Sequence, residues 1–123
     1  MNVQRTTTYR EQSRLFLSQA REELAKGDLA QASEKAWGAA AQMLKAIAAE
    51  RGWAHHSHRA LHGVMDMLYR ETGDSELVDL FSSANYLHVN FYENAYSVNF
   101  IENRLRQVER FVERAEGLLG VSA

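Results

Sequence analysis

An all-α fold, read as an up-and-down antiparallel bundle of four main helices plus one shorter helix, is predicted by three features of the chain. Apolar residues recur at three- and four-residue steps through five segments, no segment alternates with period two over strand length, and proline is absent. With no proline to interrupt a helix, the breaks must fall at glycines and capping residues. At 123 residues, 46% hydrophobic and 24% charged, the chain has the size and balance of one globular domain. Such a chain buries roughly two thirds of its unfolded surface. We read 1–123 as one domain with loose ends at 1–7 and 121–123.

The first helix is expected to begin at Thr8, where Thr8 and Glu11 can form a capping box, and to carry Tyr9, Ser13, Phe16, Ala20 and Leu24 on one face. Gly27 ends it. Asp28 then caps a second helix, with Gln31 at the reciprocal position, that runs to about Arg51 before Gly52. One apolar stripe on it is Ala32, Ala36, Ala39, Met43 and Ala46, and a second is Ser33, Trp37, Ala40, Leu44 and Ile47. Two stripes need more than one neighbour, which places this helix at the centre of the bundle. After loop 52–56, Ser57 caps a third helix whose Leu61, Val64, Met65 and Leu68 face inward as far as Thr72 and Gly73. Asp74 starts the fourth, in which Leu77, Phe81, Ala84, His88, Phe91 and Ala95 share a face.

The fifth helix, from about Ser97, repeats Ile101, Leu105, Val108, Val112, Ala115 and Leu119 in the same rhythm. Its Arg104, Arg106, Arg110 and Arg114 are interleaved with Glu102, Glu109, Glu113 and Glu116, the pattern of a solvated, ion-paired face, with a phosphate-binding patch as the alternative. Short connections predict that consecutive helices lie antiparallel. Leu15, Phe100, Phe111 and Leu118 fall beside the main seams as extra apolar surface, which predicts a homodimer.

Composition removes several functions. A net charge of -2 offers no global field for a polyanion, so any nucleic-acid contact needs a local patch. The absence of cysteine excludes disulfides, thiolate metal sites and cysteine nucleophiles. No stretch approaches the ~18 apolar residues that span a bilayer, and the polar start lacks a signal peptide's apolar segment, so the expectation is a cytoplasmic protein with no membrane contact. No glycine-rich phosphate loop, nucleophile elbow or H-E-x-x-H pair occurs, and no cofactor is expected.

Two groups of residues can carry chemistry. In the fourth helix, Asn85, His88 and Tyr92 share a face, either as a hydrogen-bond network that satisfies buried polar groups or as a cleft with His88 poised for proton transfer. In the third, His58, His62 and Asp66 stand four apart. Three such ligands span about 12 Å along a helix, too far to converge on one ion. At most His58 and His62 could share a metal, with help from His55 or His56, and no metal is expected, because zinc sites need three or four ligands.

The alanine-rich helix from Ala32 to Ala40, the loop from Arg51 to Arg59 and the stretch Leu87, His88, Val89, Asn90, Phe91, Tyr92, Glu93 together resemble the HEPN superfamily, the higher-eukaryote and prokaryote nucleotide-binding domains. More narrowly they are similar to its small stand-alone prokaryotic branch of archaeal-repeat type, over roughly Tyr9 to Leu119. The resemblance implies a dimeric bundle tied to toxin-antitoxin systems, nucleotide binding or RNA cleavage, with a cognate nucleotidyltransferase-like protein as a partner. Nucleolytic members use an arginine followed, after four to six residues, by a histidine. Here His88 matches the histidine, but the three positions for the arginine hold Phe81, Ser82 and Ser83. Without a guanidinium, nothing evident stabilises the charge that develops on phosphorus. Arg51 has the required separation from His56 and from His58, though at the end of the second helix. The expectation is therefore a non-nucleolytic module in which Asn85, His88, Asn90, Tyr92 and Glu93, joined by Lys35 and Trp37, line a groove or stabilise a dimer. The alternative is a metal-independent ribonuclease that uses His88, or Arg51 with His56, across a dimer.

Overall fold

The computed structural model describes the backbone of residues 3–93 and 97–120 and the side chains of 3–89 and 97–120. These residues form five α-helices and no strand: α1 (Val3–Lys26), α2 (Leu29–Arg51), α3 (His58–Thr72), α4 (Ser75–Glu93) and α5 (Val98–Glu116). Four starts and one stop follow local chemistry. The Asp28 carboxylate accepts the Gln31 amide at the head of α2, and Gly52 closes that helix in the left-handed region at φ 75°. Ser57 accepts the Ala60 amide for α3, Asp74 accepts the Leu77 amide for α4, and Ser97 accepts the Phe100 amide for α5.

The start of α1 differs from expectation. The helix is formed from Val3, and the Thr8 hydroxyl donates to the Gln4 carbonyl one turn back instead of capping a helix. Thr7 does the same to Val3. Nothing between Val3 and Thr8 breaks a helix, and a threonine hydroxyl satisfied by its own preceding turn no longer competes with the backbone. Much of the expected loose segment 1–7 is thus helical.

Inter-helix contacts fix the directions. Ser13 meets Ala39 and Phe16 meets Gly38 about the turn at Gly27 and Asp28, so α1 and α2 form an antiparallel hairpin. Trp37 meets Phe81 while Glu34 meets His88, which sets α4 antiparallel to α2. Arg114 meets Asp74 while Arg104 meets Ser83, which sets α5 antiparallel to α4. α3 breaks the expected alternation. Its first residue, His58, stands against Trp37 in the middle of α2, and Glu71 near its end meets Arg51 at the end of α2, so α2 and α3 run the same way. The connection 52–57 climbs back along α2 before α3 begins, with His55 packed edge-on against Tyr9.

α2 is the hub, packed against each of the other four helices. Both of its stripes are buried, from Ala32 to Ile47. Phe111, expected as extra surface, is fully buried instead, because α5 turns it towards Phe81 at a ring distance of 5.7 Å. Leu15 does remain exposed.

The charges on α5 pair mostly with other helices. Arg21 of α1 donates to Glu102 at 2.6 Å and to Glu109 at 2.9 Å, and its own proton is held more tightly because of those bonds, Glu109 first. Arg10 and Arg14 meet Glu116, and Arg114 reaches Asp74 and Glu76. Among these glutamates and arginines, Arg106 and Glu102 form the described pair within α5, at 3.9 Å. Helix-to-helix pairs win because α5 has neighbours on two sides whose charged residues face its rim.

Candidate functional site

Three helices bring planar rings together at one level of the fold. α2 supplies Glu34 and Trp37, one turn apart. α3 supplies His58 and His62 at its N-terminus, and α4 supplies Phe81 and His88. The Trp37 ring lies 4.8 Å from His88 and 5.0 Å from His58, and the two imidazoles stack at 5.4 Å with planes 24° apart. Phe81 closes the inner side, 5.9 Å from Trp37 and 5.3 Å from His62. Trp37 and Phe81 belong to the core, while His58 and His62 are exposed, so the cluster runs from the interior to solvent.

The polar atoms of the cluster meet in two places. His58 Nε2 and His62 Nε2 face each other at 3.0 Å, so one ring must donate and the other accept. His88 Nδ1 stands 3.6 Å from Glu34 Oε2, beyond a direct hydrogen bond but within ion-pair range whenever His88 carries a proton. His58 titrates below its ordinary value of 6.5, first because packing against Trp37 partly desolvates a ring that is otherwise exposed and then because His62 and His88 would repel its charge.

That shift has a sign. A histidine more acidic in the fold than in the open chain gives stability that is complete above 6.5 and is lost as pH falls from there towards the lowered value. Urea midpoints should therefore drop between about pH 7 and about pH 5, and drop less in His58→Gln. Identical slopes for the two proteins would refute the assignment.

Of the expected site residues, His88 and Trp37 come together. Lys35 does not join them, because two residues along α2 turn its ammonium away to the ring of Phe16, at 4.9 Å. Asn85 is on a different wall. It lines a groove of about 690 Å³ between α3 and α4, with His62, Met65, Tyr69 and Tyr86 among its neighbours. Asn90, Tyr92 and Glu93 have side chains outside the described residues. Asp66 turns to Arg70 at 2.9 Å. Among the described residues no three ligating side chains come close enough to hold a metal ion.

Arg51 has a structural post. Its guanidinium pairs with Glu71 at 3.1 Å, donates to the Leu118 carbonyl and covers Trp53, while the His56 ring packs at a tilt against His55. The sequence reading missed Glu34 as the partner of His88 and His58 as the ring on Trp37. Spacing along one helix carries no signal for a contact made between helices.

A crystal structure of a protein from Sulfolobus solfataricus has a similar fold, with a TM-score of 0.78 and 26% identity over 88% of this chain and 96% of that one. No curated protein matches the chain. The model of the archaeal PaREP1/PaREP8 family matches residues 8–112, from the first half of α1 through most of α5. On that match the chain belongs to the archaeal PaREP1/PaREP8 family.

Proposed function

We propose that this chain is a non-nucleolytic, HEPN-like binding module that acts as a homodimer in the cytoplasm. The face built by Glu34, Trp37, His58 and His88 contacts a nucleotide or RNA. In this reading α1, α2, α4 and α5 are the four main helices of the bundle and α3 is the shorter inserted one. A cognate protein of the nucleotidyltransferase type, in a toxin-antitoxin setting, is the protein partner that fits it.

The observation that carries the proposal is the surroundings of the three positions that would hold a catalytic arginine. Phe81 and Ser83 are 4% and 3% exposed, and Ser82 donates back to the Val78 carbonyl. A guanidinium at 81 or 83 would have to displace core packing. Arg51, the other arginine at a suitable separation, is 9% exposed and tied to Glu71. What remains is a set of planar rings open on one side, the arrangement on which bases stack, each stacked base contributing about 1–3 kcal/mol.

Purified protein incubated with total RNA and a chelator should leave the RNA intact. In anisotropy titrations a fluorescent single-stranded RNA should bind, and His58→Ala should weaken it about tenfold. Metal-independent cleavage that disappears in His88→Ala would establish the ribonuclease reading instead, with the missing arginine supplied across the dimer.

A further inference from the structure

Three arginines are partly buried among the described residues: Arg21, Arg51 and Arg104. Arg21 meets two carboxylates and Arg51 meets Glu71. Arg104 meets no described carboxylate. Its Nη1 donates to the Ser83 hydroxyl at 3.2 Å, and its guanidinium lies over two rings, 4.9 Å from Phe100 and 5.4 Å from Tyr86. Its Nε–H is buried and has no acceptor among the described residues. A guanidinium cannot shed its charge, so a shielded one without a counter-ion bears a desolvation cost that the fold elsewhere offsets with carboxylates.

We propose that Arg104 is the anchor of an oxyanion site at the α4–α5 edge and that its ligand is a phosphate group. Phe100 holds the guanidinium plane through cation–π contact and Ser83 holds one end of it, whereas the more distant Tyr86 ring is not needed to fix it. This leaves the Nε and Nη2 edge as a planar fork whose spacing matches two oxygens of one phosphate. Tyr86 is the door. It is 50% exposed, so its ring can turn outward and uncover that edge. The phosphate then supplies both the missing acceptor and the missing negative charge. Ser83 and Tyr86 leave α4 on a different side from His88, so this site stands independently of the imidazole face.

The test is a titration of 15N-labelled full-length protein with inorganic phosphate, with adenosine monophosphate and with acetate, all at matched ionic strength, read at the Arg104 Nε–H resonance. Phosphate should shift that resonance saturably. Arg104→Lys keeps the charge but loses the fork, and should weaken phosphate about tenfold when read at the Leu105 amide, whereas Arg106→Gln should leave it unchanged. Tighter binding of adenosine monophosphate than of free phosphate assigns the group to an ester, and equal binding assigns it to the free ion. No saturable shift in the wild-type protein overturns the proposal, whatever the variants do. So does acetate binding as tightly as phosphate, or Arg104→Lys folded by circular dichroism and binding as well as wild type.

Discussion

In Phe111→Ala the unfolding free energy measured in urea is expected to fall by about 3–5 kcal/mol, a large part of the ~5–15 kcal/mol that a domain of this size has. Phe111 is fully buried. Its ring sits beneath Phe81, which in turn supports Trp37 and His62. Truncation removes the transfer free energy of a whole ring and leaves a hole that rigid helices close only in part. The loss should also reach the surface, because Phe81 can then settle inward and loosen the rings above it. Tryptophan emission in the folded variant should therefore change. A loss under about 1 kcal/mol would mean that the ring is not part of the core.

Ala39→Leu is expected to cost about 2–4 kcal/mol, the sum of overpacking and one buried hydrogen bond. Ala39 is fully buried, and its carbonyl accepts the equally buried Ser13 hydroxyl at 2.6 Å. Next to it, a Cβ added at Gly38 would stand 2.9 Å from the Phe16 ring. At this level α1 and α2 have no room for a larger side chain, and leucine must force them apart, breaking the serine bond. Ala30→Leu, on a half-buried turn of the same helix, is the matching control and should be near neutral. Equal denaturation midpoints for the two variants would show that the seam is looser than the distances imply.

Most of the frame could be read in the residues. Asp28, Ser57, Asp74 and Ser97 each cap the helix assigned to them, and the two stripes of α2 are buried as their spacing required. Such features are local: a cap needs only the next three residues, and a stripe only one helix. The direction of α3 was not local. A six-residue connection is long enough either to turn sharply or to run back, and which one it does depends on Tyr9 and Trp37, both distant in sequence. Lys35 was misplaced for a related reason. Its neighbour Trp37 faces α4, but nothing in α2 alone says that Phe16 waits on the opposite side.

The site shows the same division. His88 stood out by composition, and its ring does lie against Trp37. Its partners Glu34 and His58 come from two other helices whose register a single chain of letters does not encode. Arg104 was grouped with the ionic rim of α5, and only the packing of α4 against α5 separates it from Arg110 and Arg114, which have carboxylate partners.

The outboard position of α3 bears on motion. It touches α2 and α4 but neither α1 nor α5. It can therefore swing away as one cooperative unit while the hairpin of α1 and α2 and its two companions stay intact, so its amides would exchange with solvent by a sub-global opening. Each such excursion would lift His58 off Trp37 and His62 off Phe81, and occupancy of the ring face by a guest would be seen as slowed exchange along α3.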